Sequence, residues 1–255
     1  MMFFGWIGGV SAPVIPAAPL MPRPLIQTIV VDAGHGGKDA GAISLRGLLE
    51  KDVTLELARR VRDELSVKGI SVIMTRDRDM FVPLSARARV ANEKRADLFV
   101  SIHANASVSR SLKGFEIYYL NDPSGDKAAA ARRAENLSGV TKAEAIRESD
   151  AYLKAVLWDL KDADNRRESL RLAGHIGETA QHSVPIGANR LRAANFYVLK
   201  WTECPSVLVE LGYVSNRSDE NKLRSARYRR KMAAAIAEGI LKFKRQYEGH
   251  FAEQI

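Results

Sequence analysis

The chain has 255 residues, 46% of them hydrophobic, a formal net charge of +9 and one cysteine. That length and apolar content suit one large α/β domain, or such a domain with an insertion, and the lone Cys204 excludes an intramolecular disulfide. The positive balance suits an anionic partner such as a wall polymer, but nucleic acid is not expected without zinc-finger spacing or a basic stripe interleaved with aromatics, and no apolar stretch reaches the span of a bilayer.

Residues 1–25 begin with apolar FFGWIGGV and continue as SAPVIPAAPLMPRP, whose small residues and prolines resemble the end of an export signal and a linker. Their first basic residue is Arg23, so the signal is incomplete as written, and the segment is set apart as an arm or signal remnant. Runs of apolar β-formers then recur at IQTIVV (26–31), ISVIMTR (70–76), LFVSIHA (98–104), FEIYYL (115–120), FYVLK (196–200) and SVLVEL (206–211). Their near-continuous Val, Ile and Leu content predicts strands covered on both faces. Val53, Leu57, Val61 and Leu65 recur every four residues before Gly69 and predict a helix. A second helix fits 84–95. A third fits 225–247, with Met232, Ile236, Ile240, Phe243 and Tyr247 on one stripe.

Strands alternating with helices predict a three-layer α/β fold: a mostly parallel six-stranded sheet flanked by helices on both faces. Residues 121–165 are polar, rich in Ala, Asp, Lys and Arg, with a helical pattern over 126–137, and read as an insertion beside the site. The catalytic domain is expected over 26–248, with a tail at 249–255.

In open α/β sheets, ligands bind beyond the carboxyl ends of the strands. His35 follows the first strand, in IVVDAGHGGKDAG; His103 ends the third, in SIHAN; Glu210 ends the last, in LVELG; Glu50 opens the helix that begins LLEKDVTLEL. Two imidazoles and a carboxylate are a usual set for a catalytic zinc, which keeps a position open for water. Gly34, Gly36 and Gly37 would let the backbone turn sharply and keep bulk away from a metal and substrate. Asp32 reads either as an acceptor that orients an imidazole or as a turn cap. A solitary histidine after a strand is more often a satisfied turn residue, and an acid at a helix start commonly serves the helix dipole. Glu210 is harder to dismiss, because an unpaired carboxylate inside VLVELGYV costs several kcal/mol or shifts its pKa. The separations (35 to 50, 50 to 103, 103 to 210) match no short local motif, so spacing alone goes no further than a metal hydrolase.

The ordered motifs IVVDAGHGGKDAGA, LLEKDVTLELARRV, MTRDRD, ADLFVSIHANA, GFEIYYL, FYVLK and SVLVELGYVSN resemble the zinc-dependent N-acetylmuramoyl-L-alanine amidases of the type-3 amidase family over roughly residues 26–245. The resemblance implies one Zn2+ per chain, with His35, Glu50 and His103 as ligands and Glu210 as the catalytic glutamate. It implies peptidoglycan as substrate, cut between N-acetylmuramic acid and L-alanine, in the periplasm or cell envelope and in cell separation. Asn105 is a candidate substrate or oxyanion contact, or a strand-end turn. Cell-division members carry a helical segment over the site, and in some a glutamate from it fills the open zinc position; here AARRAENLSG offers Glu135 for that autoinhibitory role, or a solvated helix face, with Glu144, Glu148 and Asp150 as other acids. An envelope activator protein would then bind the insertion and draw it aside. The competing readings are a zinc peptidase acting within wall peptides and a catalytically silent wall-binding module.

Overall fold

The structure, a computed structural model, describes residues 25–120, 142–187 and 189–252. In chain order the elements are β1 (Thr28–Ala33), α1 (Glu50–Ser66), β2 (Ser71–Met74), α2 (Leu84–Glu93), β3 (Leu98–Asn105), β4 (Phe115–Tyr119), α3 (Lys142–Ser183), β5 (Asn189–Ala193), α4 (Tyr197–Lys200), β6 (Ser206–Tyr213), α5 (Arg217–Arg224) and α6 (Ala226–Ala252). The six strands form one sheet in the order β2-β1-β3-β6-β4-β5. Every pairing is parallel except β4 against β6. The mostly parallel, helix-covered sheet expected from the sequence is therefore present.

Side-chain alternation sorts the sheet into two faces. Ile29, Val31, Leu98, Val100, Ile102, Phe115, Ile117, Val207 and Val209 enter the larger core with α1, α6 and the C-terminal part of α3. Val30, Phe99 and Leu208 point the other way, onto Ala91 of α2 and Val198 and Leu199 of α4. Val53, Leu57, Val61 and Leu65 of α1 are all buried, as their spacing required. Each such side chain contributes about 1.5–3 kcal/mol by leaving water.

Three differences from the expected elements have physical reasons. FYVLK is not a strand: Lys200 N donates to Phe196 O across one helical turn, and Val198 and Leu199 pack into the same cluster, whereas successive side chains of a strand point to opposite faces. The sixth strand is instead NRLRA, which pairs with β4 at the sheet edge. An edge strand needs no continuous apolar run, and charged side chains there discourage pairing with another chain. Last, α3 runs unbroken across position 165, and its Leu172, Ala173, Ile176 and Ala180 belong to the main core. Glu135 lies outside the described residues, and for Glu144, Glu148 and Asp150 only the helical backbone of α3 is described.

Candidate active site

The site is built from the carboxyl end of β1 outward. Gly34 N donates to Ile102 O, carrying the β1–β3 pairing one step past the strand. The chain then turns sharply: Gly36 N and Asp39 N each donate to the other residue's carbonyl. His35 sits in this turn at φ 61°, an uncommon conformation for a residue with a Cβ and one that clusters at functional sites. Two buried guanidinium groups brace the loop from below. Arg76 donates to the carbonyls of Ala33, Gly34 and Lys51, and Arg87 to those of Ala33 and His35.

Asp32 takes neither role expected of it. It is fully buried, pairs with Arg87 Nη1 at 2.7 Å, and accepts from Thr75 and Ser101 hydroxyls. Burial pushes its carboxyl up, but Arg87 and the two hydroxyls outweigh that and leave its pKa low. Asp39, which the sequence reading missed, orients the imidazole instead: its Oδ2 lies 2.9 Å from His35 Nδ1, while its Oδ1 accepts from Gly41 N. The signal was available, since an acid four residues beyond a histidine in a glycine-rich turn can reach back to it.

Glu50 opens α1, in the first turn where helix geometry favours an acid. It is 4% exposed, and each carboxylate oxygen is engaged. Oε2 accepts from Ala42 N at 2.8 Å, and Oε1 from Ala104 N at 3.0 Å. His35 Nε2 and His103 Nδ1 each lie 3.0 Å from the same Oε1. Burial raises the Glu50 carboxyl, yet the hydrogen bonds and charges of His103 and His35 overcome it and hold the group well below the usual carboxylate range. Burial likewise pulls His35 toward neutrality, and Glu50 and Asp39 more than offset that.

This donor set fits a divalent cation. One ligand atom from each of His35, Glu50 and His103 lies within 4.8 Å of the others, and the 3.0 Å separations approach the edge of about 3.3 Å expected of a tetrahedron with ~2.0 Å bonds. The surroundings keep that space clear. A Cβ on Gly34 would stand 2.4 Å from the His103 ring, and one on Gly41 would stand 2.7 Å from both Glu50 Oε2 and the His35 ring. A cation there would replace the protons these imidazoles share with Glu50.

Glu210 reaches the same place from β6. Register pairs His103 with Glu210, Glu210 with Glu116, and Glu116 with Arg190, so four polar residues cross β3, β6, β4 and β5 in one row. Directly opposed residues on neighbouring strands stand about 5 Å apart. Glu210 is 8% exposed, and its Oε2 is buried without a hydrogen-bond partner. Burial, then the charges of Glu50 and Glu116, raise its pKa well above the ordinary carboxylate value. Glu116, also missed from sequence, is held by Arg190 and Arg192 at 3.3 and 3.2 Å and by the Tyr118 hydroxyl at 2.7 Å. Its position between Phe115 and Ile117 gave the alternation that points it to the other face. Asn105 donates to Glu116 Oε2 at 3.4 Å and accepts at its Oδ1 from Ala106 N.

The sequence profile of the N-acetylmuramoyl-L-alanine amidase family matches residues 29–242, nearly the whole described chain. The chain belongs to that family. This amidase is 36% identical over 219 residues to N-acetylmuramoyl-L-alanine amidase AmiA of Escherichia coli, covering 85% of this chain and 76% of the relative. It spans about half (52%) of the AmiC relatives. Among solved structures, AmiC2 of Nostoc punctiforme aligns with a TM-score of 0.63 at 34% identity, over 85% of this amidase and 96% of that chain. The CwlD amidase of Clostridioides difficile, solved in complex with the GerS lipoprotein, aligns at 0.65 and 26% identity over 85% and 98%. The amidase is thus a hydrolase, on a fold its relatives share. No helix among the described residues is long and apolar enough to cross a membrane.

Proposed function

We propose that this chain hydrolyses the amide between N-acetylmuramic acid and the L-alanine of the peptidoglycan stem peptide, with one zinc ion held by His35, Glu50 and His103 and with Glu210 as the catalytic acid–base. Held by that triad, a zinc ion would supply a Lewis acid for the scissile carbonyl and would lower the pKa of water toward ~7. Glu210 takes the attacking water's proton on its free Oε2 and later passes it to the leaving amine of L-alanine. The buried setting that raises its pKa readies it to hold that proton between the two steps, and a cation bound at the triad would act in the opposite direction. Asp39 fixes the His35 ring, so that Nε2 faces Glu50.

The observation that carries this reading is the buried carboxylate oxygen of Glu210 without a hydrogen-bond partner among the described residues, on the strand position paired with His103 of the three-donor cluster. The net charge of +9 suits an anionic wall. We place the protein in the periplasm or envelope, acting in cell separation, with residues 121–165 as the segment that an envelope partner would contact. CwlD's complex with a lipoprotein is a precedent for such a partner.

The test is digestion of purified sacculi by the zinc-loaded chain, followed by mass spectrometry of the soluble products. The expected products are intact stem peptides beginning at L-alanine, with glycan freed of peptide. Cuts within the stem would replace this reading with a peptidase. Wall binding without products would leave a silent binding module.

A further inference from the structure

A cleft of about 540 Å3 opens among segments that follow β1, β3 and β6 in the chain. Leu45 and Arg46 come from the β1–α1 loop, Arg110 and Lys113 from the β3–β4 loop, Ser215 and Asn216 from the turn between β6 and α5, and Arg217 and Ser218 from the first turn of α5. The same segments carry the site: the β1–α1 loop holds His35 and ends on Glu50, β3 holds His103 and β6 holds Glu210. The cleft and the candidate active site therefore share one rim of the sheet.

The cations in this cleft are of two kinds. Arg46 is already paired: its Nε lies 3.1 Å from Oε2 of buried Glu220, whose Oε1 accepts from Ser44 and Arg224. Arg110, Lys113 and Arg217 are exposed, and their side chains have no acidic or hydrogen-bonding partner among the described residues. Their backbone is nonetheless fixed. Asn216 Nδ2 donates to Arg110 O at 2.7 Å, and Asp219 Oδ2 accepts from Gly114 N, next to Lys113, at 2.7 Å. Asn216 Oδ1 caps α5 through the amides of Ser218 and Asp219, which fixes the backbone of Arg217 between Asn216 and Ser218. Three cations without a partner among the described residues, on a braced frame, are arranged for an anion, because guanidinium and ammonium groups bind carboxylates through charge-assisted hydrogen bonds.

The substrate's chemistry says which part of it is anionic. The lactyl carboxyl of N-acetylmuramic acid is consumed in the amide that is cut, so the glycan strand there is neutral. The stem peptide keeps free carboxylates along its length and at its end. Its alanine methyl groups also suit Leu45, an apolar wall of the cleft that is 69% exposed. We infer that this cleft is a subsite for a free carboxylate of the wall stem peptide, gripped by Arg110, Lys113 and Arg217 while the scissile amide lies at His35, Glu50 and His103. The inference rests on the amidase reading and adds the direction in which the peptide leaves the site.

The experiment compares two synthetic muramyl peptides, one with free stem carboxylates and one with the same groups as carboxamides. For the zinc-loaded wild-type chain, kcat/KM should favour the free acid by about tenfold, the size expected of three exposed ion pairs acting together. That preference should shrink as salt is raised. In the triple variant Arg110→Gln, Lys113→Gln, Arg217→Gln the ratio should fall to near one. Anisotropy titration of the labelled free stem peptide, which needs no hydrolysis, should show weaker binding to the variant; it keeps the inference testable even if the chain proves not to be an amidase. A wild-type enzyme indifferent to amidation, a variant that keeps the full acid preference, or tighter binding of a polyglycerol phosphate than of the peptide would each overturn the subsite.

Discussion

On the β1–α1–β3 side of the site every buried acid is fully engaged. Asp32 holds Arg87 and two hydroxyls, and Glu50 holds two amides and two imidazoles. On the β6–β4 side Glu210 keeps one oxygen without a partner, although it is almost as buried as Glu50. Burial acts on both acids in the same sense, yet Glu50 ends below its ordinary pKa and Glu210 above it. The difference is the company each keeps: imidazoles around one, carboxylates near the other. A group that is to hold an ion is preorganised and charged, whereas a group that is to move a proton is left with an oxygen to spare.

Swapping the same atoms in both acids tests that contrast most severely. Glu210→Gln should lower hydrolysis about 10²–10⁴-fold, roughly 3–5 kcal/mol in the barrier, while metal analysis shows zinc retained. Glu50→Gln should lose the zinc itself. Were both variants to lose metal, or neither to lose activity, the division between holding and acting would be wrong.

A smaller effect is expected at Asp39, whose side chain is 43% exposed and reaches the proposed ligand His35 through one oxygen and Gly41 N through the other. Asp39→Asn should weaken zinc binding by about 10–100-fold in a competition titration with a chelator, the usual consequence of disturbing the partner of a metal-binding histidine. Unchanged affinity would mean that the turn by itself aims the ring.

The smallest effect concerns stability without metal. Because the folded pKa of Glu210 is raised above 4.5, the folded chain binds this proton more tightly than the unfolded one. Its contribution is therefore fully present below pH 4.5 and declines as pH rises toward the folded value. Metal-free wild type and Glu210→Gln should melt together near about pH 4, and the variant should melt higher at about pH 8. Parallel melting curves at both pH values would show that Glu210 has found a partner in solution.

Much of this could be read from residues in order. The four-residue spacing from Val53 to Leu65 placed α1, and the apolar runs placed five of the six strands, because burial leaves a periodic trace in composition. His35, His103 and Glu210 stood out as polar groups at strand ends. β5 left no such trace, since an edge strand carrying Arg190 and Arg192 is held by pairing with β4 and by Glu116, residues distant in the chain. FYVLK read as β because Tyr, Val and Leu suit both states, and local helical hydrogen bonding decided it.

The sequence by itself determined which chemical groups are present and that the sheet must be covered on both faces, because composition and period are properties of the chain alone. Only the tertiary structure decided which acid is satisfied and which is not. Asp32 and Asp39 look alike in VDAGHGGKDAG, and it is Arg87, 55 residues from Asp32, that makes one a structural ion while the other faces the imidazole. Whether a carboxylate holds or transfers is set by what lies within about 3 Å of it, and neighbours at that distance come mostly from other parts of the chain.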